Sequence, residues 1–296
     1  MRKIFWAALL IFLIYGCGVA TKDTSSATAA QEQSLWVFSD KGLSEGRISS
    51  WTRSVGQSKQ TFQGAPQDAL RNGQGLFLAT SAGLYVSTDN AYTYALLITG
   101  NVTSLATDQS GIWAATDRGC FASTANLEFE AITSPNSYQK IVCAAERLYI
   151  LGGGVLQAST ANGWAVAAYV SGDVRDFGFV ENNLFLLTDA GLTTGSAFIE
   201  APISAPYKLH IFGRQLWLAG DKALAKSTDS GATWAVYDTN VNYNAEKVRD
   251  ILSGGLNIYV AAENGLWYSL NGGESWKVLR KQNGLLSNNT VKTLLR

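Results

Sequence analysis

The sequence predicts an all-β protein made of repeated four-stranded units. Six similar segments recur at intervals of ~30 to 40 residues, a period typical of repeat architectures. Each segment joins two apolar runs, rich in aromatic and β-branched residues, through a tight turn. Together these observations predict a β-propeller, a ring of antiparallel blades around a central channel. The segments are "GLFLATSAGLYVSTD" at 75, "GIWAATDRGCFAST" at 111, "RLYILGGGVLQAST" at 147, "NLFLLTDAGLTTG" at 183, "QLWLAGDKALAKSTD" at 215 and "NIYVAAENGLWYSLN" at 257.

Each unit supplies the second and third strands of a blade as a hairpin. A glycine at the last turn position suits a short hairpin, because glycine adopts left-handed backbone conformations at little cost. These glycines are Gly83, Gly119, Gly154, Gly191 and Gly265, with Ala223 in the remaining unit. An apolar segment before each hairpin, such as "NVTSLATD" at 101, supplies the innermost strand, and a short segment after it supplies the outermost.

A polar octet follows three of the hairpins. It reads "STDNAYTY" from Ser87, "STDSGATW" from Ser227 and "SLNGGESW" from Ser269. It resembles the Asp-box of BNR and sortilin-like repeats, which implies a turn between the third and fourth strands. There Asp229 would accept backbone N–H groups and Trp234 would cover the hairpin. The residues given this structural role are Ser87, Asp89, Ser227, Asp229, Gly231, Trp234, Ser269, Asn271, Gly273 and Trp276.

Two fragments remain at the ends of the repeat region. "SLWVFSDKGLS" at 34 lacks the first strand of a unit, and "GLLSNNTVKTLLR" at 284 has only a first strand. If 291–295 pairs beside 35–39, the N- and C-terminal strands close the ring, which predicts seven four-stranded blades over 34–296. The fragments also resemble the sensor propellers of two-component regulators.

The first 17 residues predict a lipoprotein signal peptide. Arg2 and Lys3 precede an apolar run from Ile4 to Tyr15, which is short for a membrane span. "IYGC" resembles the bacterial lipobox, so Cys17 would be the lipidated first residue of the mature chain, although plain cleavage and an uncleaved anchor remain open. Residues 18–33 would form a flexible tether. The residue after Cys17 is Gly18 and not the aspartate that marks inner-membrane retention in many Gram-negative bacteria, which favours the outer membrane.

Composition narrows the functional classes. Twenty-three basic and 23 acidic residues give a net charge of zero, which argues against a nucleic-acid partner. The chain has one histidine, His210, so it cannot form a histidine-rich zinc site, and we expect no metal or cofactor. We expect His210 to lie hydrogen-bonded near the channel. Cys120 and Cys143 are either a disulfide between adjacent blades or two small buried residues.

The candidate binding site is the channel mouth, where the loops entering the innermost strands lie. "VRD" occurs twice there, as Arg175 with Asp176 and Arg249 with Asp250. These arginines could receive an anionic group, or each could simply pair with a neighbouring acid. The other candidates are the cations Lys140, Lys208 and Lys292, the turn acids Asp40, Asp117, Asp189, Asp221 and Glu263, and the aromatics Tyr169, Tyr207, Tyr237 and Tyr243.

These observations predict a non-catalytic envelope lipoprotein. A monomeric ring would bind or scaffold a protein or glycan partner through its channel mouth. "LWLAG" at Leu216 is similar to repeats of the photosystem II assembly factor family, which implies an assembly role. The alternatives are a ligand-sensing propeller and a carbohydrate-active hydrolase. A sialidase would need "RIP" near the N-terminus, where this chain has "GRIS" at Gly46.

Overall fold

The computed structural model describes residues 35–39, 42–47, 50–54, 62–132, 136–169, 174–195, 197–280, 282 and 293–295. The predicted signal peptide, Cys17 and the tether lie outside the described residues, as do Asp40 and Lys292. Among the residues that are described, none forms a helix long and apolar enough to cross a membrane.

Six blades each consist of four consecutive antiparallel strands, with the first strand innermost. Blade 1 contains β4 (Pro66–Asn72), β5 (Gly75–Thr80), β6 (Gly83–Ser87) and β7 (Ala95–Thr99), and blade 2 contains β8 (Val102–Thr107), β9 (Ile112–Thr116), β10 (Gly119–Ser123) and β11 (Phe129–Ala131). Blade 3 contains β12 (Lys140–Ala144), β13 (Arg147–Gly152), β14 (Val155–Thr160) and β15 (Gly163–Tyr169), and blade 4 contains β16 (Asp176–Val180), β17 (Asn183–Leu187), β18 (Gly191–Thr194) and β19 (Phe198–Glu200). Blade 5 contains β20 (Lys208–Phe212), β21 (Gln215–Gly220), β22 (Ala223–Ser227) and β23 (Ala235–Tyr237), and blade 6 contains β24 (Asp250–Gly254), β25 (Asn257–Ala262), β26 (Gly265–Ser269) and β27 (Lys277–Leu279). A 3₁₀ turn spans Thr239–Val241 between the last two blades.

A further four-stranded sheet joins the two ends of the described chain, and we call it the closing sheet. It contains β1 (Leu35–Ser39), β2 (Gly42–Arg47), β3 (Ser50–Ser54) and β28 (Thr293–Leu295), in the order β28-β1-β2-β3. The antiparallel pairing of β28 with β1 places Leu295 opposite Trp36. Buried residues of β1 pack on both sides, Val37 against Leu252 of blade 6 and Trp36 against Leu76 of blade 1.

The prediction of seven blades, one of them shared by the two ends of the chain, is therefore corrected to six blades. Six blades are continuous units of four antiparallel strands, and the sheet that the sequence analysis counted as a seventh is of another kind. It is assembled from both ends of the chain, because neither end carries all four strands. Its innermost strand, β28, has three residues, whereas the innermost strands of the six blades have five to seven.

The core of the propeller lies between neighbouring blades. Strands β5 and β6 are buried along almost their whole length, because both faces of a blade are covered. One cluster shows the arrangement, with Trp217 and Leu224 of blade 5 packed against Ile251 and Val260 of blade 6. Each blade is thus held in place by its two neighbours.

The hairpin glycines allow the outermost strand to approach closely. Gly265 has a φ of +137°, and a Cβ atom there would lie 2.7 Å from the carbonyl oxygen of Leu279 in the outermost strand. Gly83 needs no positive φ, yet a Cβ there would lie 2.6 Å from the carbonyl oxygen of Ile98. Close approach, more than a left-handed turn, therefore explains the glycine at these two positions.

Candidate functional site: the channel mouth

The three octets form matching turns between the third and fourth strands of blades 1, 5 and 6. In blade 5 the Asp229 carboxylate accepts the backbone N–H of Thr233 at 2.9 Å and the Thr233 hydroxyl at 2.6 Å. The Ser227 hydroxyl donates to Asp229 and accepts the N–H of Gly231, which has a φ of +92°. Trp234 closes the turn with a bond from its indole N–H to the Gly231 carbonyl.

The other two octets repeat this network. Asp89 accepts the backbone N–H of Thr93 at 2.9 Å, and Asn271 accepts that of Ser275 at 3.1 Å. Hydrogen bonds from Thr93 and Thr233 lower the pKa values of Asp89 and Asp229 to about 2. Since each carboxylate is used within its own turn, the octets are structural features and not a binding site.

A pocket of about 560 Å³ opens at the channel mouth. Four of its lining residues are basic and come from blades 4 to 6 and the loops that enter them. The opposite wall, from blades 1 and 2, is uncharged. The lining residues are Ala65, Pro66, Gln67, Thr103, Arg175, Tyr207, Lys208, Lys247, Val248 and Arg249. Its volume is within the range of ordinary ligand sites.

The two arginines of the repeated "VRD" both line this pocket. Arg175 donates from Nη1 to the carbonyl oxygen of Pro206 at 3.0 Å. Arg249 forms an ion pair with Glu263, which also lies 3.2 Å from the Nζ of Lys247. The hydrogen bond from Arg249 lowers the pKa of Glu263. Arg249 therefore pairs with an acid, which is one of the two possibilities that the sequence allowed, and it also lines the pocket.

Asp176 lies beneath the mouth and is only 3% exposed. Its Oδ1 is 2.5 Å from the Nζ of Lys140, and its Oδ2 is 3.8 Å from the Nζ of Lys208. Oδ2 also accepts the backbone N–H of Leu209 at 2.9 Å. Burial opposes the ionisation of Asp176, but the two ammonium groups outweigh it and lower its pKa. Asp176 is therefore a buried counter-ion and does not reach the pocket.

The same position of other innermost strands carries further charged groups. Asp68 of β4 accepts the backbone N–H of Leu105 at 2.8 Å and the Ser104 hydroxyl at 3.3 Å. Burial raises the pKa of Asp68. Asp250 of β24 lies with its Oδ1 3.6 Å from the Nδ1 of His210. His210 thus lies in the channel, as expected, and faces a carboxylate.

Two residues at or just before the start of an innermost strand link their blade to the next one. Thr103 donates its hydroxyl to the carbonyl oxygen of Tyr138 at 2.8 Å. The Tyr207 hydroxyl accepts the backbone N–H of Val248 at 2.5 Å, and burial raises the pKa of Tyr207 to about 12. Sequence analysis did not identify Gln67, Thr103 or Lys247 as pocket residues, because they belong to no repeated motif.

The remaining candidates lie elsewhere. Of the four aromatic candidates, Tyr207 alone lines the pocket, whereas Tyr243 is fully buried and Tyr169 is 81% exposed at the end of β15. Tyr237 packs against Trp276. The turn acids Asp117, Asp189 and Asp221 are exposed and do not line the pocket.

Cys120 and Cys143 share one core cluster, but they do not form a disulfide with each other. Cys120 is a buried thiol, and burial raises its pKa to about 12. The second of the two sequence interpretations, a small buried residue, is therefore correct for Cys120.

Comparison with known proteins establishes the fold only. No family model matches the chain, and no curated protein matches it. Among solved structures it is similar to YCF48 bound to a D1 peptide, with a TM-score of 0.56 and 13% identity over 73% of this chain and 82% of that one. An ancestral GH74 enzyme also gives a TM-score of 0.56, with 15% identity over 78% of this chain and 38% of that one. PorZ, a bacterial surface component of the type-IX secretion system of Porphyromonas gingivalis, gives 0.50, with 13% identity over 88% and 47%.

These likenesses confirm the β-propeller architecture. The assignment of the octets to the Asp-box family and the lipid anchor stay predictions. The identities are all below the level at which function can be transferred, so these likenesses concern the fold alone.

Proposed function

We propose that this protein is a non-catalytic binding protein of the bacterial envelope that holds an anionic segment of a protein partner at its channel mouth. The observation that carries the proposal is the basic wall of the pocket, formed by Arg175, Lys208, Lys247 and Arg249. Cations from three successive blades converge there, and none of the described lining residues is acidic. Such convergence favours a ligand with negative charge.

The placement of the carboxylates favours binding over catalysis. A glycoside hydrolase uses two carboxyl groups that flank the scissile bond. Asp176 is instead buried under Lys140 and Lys208, and Asp250 faces His210. Glu263 is paired with Arg249 and Lys247. Asp176, Asp250 and Glu263 each face a cation or the histidine, and Asp68 is held by the backbone N–H of Leu105.

The uncharged wall favours a peptide as the ligand. Ala65 and Pro66 offer small apolar contacts opposite the basic wall, and Gln67 and Thr103 offer polar ones. An acidic residue beside small uncharged residues would match both walls. Since YCF48 is a propeller solved with a D1 peptide, a peptide ligand is compatible with this fold. The partner would be held for assembly or scaffolding.

The envelope location rests on the N-terminal sequence. A charged segment, an apolar run and "IYGC" precede a polar tether, so Cys17 would anchor the ring to a membrane through lipid. Incorporation of labelled palmitate into the wild-type protein, and its loss in Cys17→Ser, would support this part of the proposal.

Photocrosslinking in intact cells tests the binding face. A photoreactive residue at Lys247, whose side chain is 67% exposed at the pocket, should capture a partner protein. A residue at Arg214, 73% exposed in the turn between β20 and β21, serves as the matched control and should not. Capture should be lost in Arg175→Gln/Arg249→Gln and persist in Arg214→Gln. Equal capture from both positions, or capture that the double variant leaves unchanged, would contradict the proposal.

A further inference from the structure

The charged groups beneath the mouth form one layer across the channel. It contains the carboxylates of Asp68, Asp176 and Asp250 and the ammonium groups of Lys140 and Lys208, with the imidazole of His210 beside Asp250. Among the described groups, three carboxylates face two ammonium groups while His210 is neutral, and protonation of His210 balances them. The charge beneath the pocket therefore depends on one histidine.

Lys208 connects this layer to the binding pocket. It lines the pocket, and it interacts electrostatically with Asp176, Asp250 and Asp68. His210 is two residues further along β20, so its side chain points to the same side of the strand as that of Lys208. A positive charge on His210 would engage Asp250 and leave Lys208 less neutralised.

Among the described residues, the surroundings of His210 contain no other group that normally titrates between pH 5 and 8. Phe212 stacks on it with 6.2 Å between ring centroids, and Trp217 of β21 is its neighbour in the strand pairing. The charged group described against it is Asp250 from β24, and Lys208, two residues away on its own strand, interacts with Asp176, Asp250 and Asp68. His210 is also the one histidine of the sequence.

We propose that protonation of His210 strengthens anion binding at the channel mouth, so that the protein binds its partner more tightly at mildly acidic pH. This inference rests on the proposed function, because it concerns the same pocket. A unit charge added beneath a partly exposed site changes affinity by roughly threefold to tenfold.

Two measurements test the inference. The first is fluorescence anisotropy of a tetramethylrhodamine-labelled (Glu-Ala)₄ peptide from pH 5.5 to 8.0 at constant ionic strength. Wild-type protein should bind about threefold to tenfold more tightly at pH 5.5 than at pH 8.0. His210→Gln should bind with one affinity throughout. Asp68→Asn should keep the wild-type pH dependence, which separates the effect of His210 from that of Asp68.

The second measurement follows the imidazole of His210 by NMR in the wild-type protein, which needs no variant. Its titration midpoint should coincide with that of binding, and saturating peptide should move the midpoint to higher pH because the coupling is reciprocal. Binding that is independent of pH, or a midpoint unaffected by peptide, would overturn this inference and leave the proposed function intact. Failure of the peptide to bind at any pH would overturn both.

Discussion

The carboxylate of Asp176 accepts the backbone N–H of Leu209, which belongs to the next blade, at 2.9 Å. Asp68 makes the equivalent bond to Leu105 at 2.8 Å. The two aspartates occupy the same position of their innermost strands, and each ties its blade to its neighbour. Their electrostatic surroundings differ, however, because Asp176 has two ammonium groups within 4 Å and Asp68 has no such ion pair among the described contacts.

Asp176→Asn should destabilise the propeller strongly. The change leaves the half-buried Lys140 without its counter-ion, and breaking a pair with one buried partner in this way costs about 3 kcal/mol. For a domain of this size that corresponds to a fall in Tm of about 6–12 °C, measurable by differential scanning calorimetry. Asp176→Asn/Lys140→Met should recover part of the loss, and the exposed Asp189→Asn should change nothing. An unchanged Tm for Asp176→Asn would show that the pair contributes no stability.

Asp68→Asn should have the opposite effect at alkaline pH. Burial raises the pKa of Asp68, so its ionisation opposes folding once the pH exceeds that pKa. The amide oxygen of asparagine can still accept the N–H of Leu105 without a charge. We expect Tm at pH 8 to rise by about 2–4 °C, with the gain disappearing below about pH 4. A loss of stability at pH 8 would mean that the ionised carboxylate is needed in the layer.

Local patterns in the sequence predicted the hairpins, the octet turns and the position of Arg175 and Arg249 at the mouth. These features depend on residues close together in the chain. The pairing of Lys140 with Asp176, 36 residues apart, could not be predicted, because it depends on how blades pack around the channel. The same applies to the pocket walls from Gln67 and Lys247.

The octet turns of blades 5 and 6 allow a test of the side-chain oxygen that accepts the backbone N–H. Asn271 occupies the position of Asp229 in blade 6 and accepts the equivalent backbone N–H. Asp229→Asn should therefore lose less stability at pH 7 than Asp229→Ala, which removes the acceptor and should lower Tm by about 2–4 °C. Circular dichroism melts of both variants would show the difference. Equal effects of the two substitutions would assign the role to the charge and not to the acceptor oxygen.

The stability of the protein at acid pH should also depend on the octet turns. The pKa of Asp229 is about 2 in the folded protein, against 3.8 for an ordinary aspartate. Because the folded pKa is lowered, its contribution is complete above about pH 4 and is lost as the pH falls towards 2. The free energy of unfolding, measured by urea denaturation, should thus differ less between pH 2.5 and pH 6 for Asp229→Asn than for wild type. Substitution of the exposed Asp189 by Asn should leave the wild-type fall in the free energy of unfolding unchanged. If Asp229→Asn lost as much stability at pH 2.5 as wild type does, Asp229 would not be the source of the pH dependence.

Removal of β28 tests the closure of the ring. Deleting 293–296 removes the strand that pairs with Trp36, Val37 and Phe38, all of which are buried. Loss of that pairing exposes the edge of β1 and removes the contacts of β28 with β4 of blade 1 and β24 of blade 6, so Tm should fall by about 10 °C. Deleting Arg296 alone is the control and should leave Tm unchanged. If the two truncations behave alike, the closing sheet contributes no stability, and the six continuous blades hold the propeller together without it.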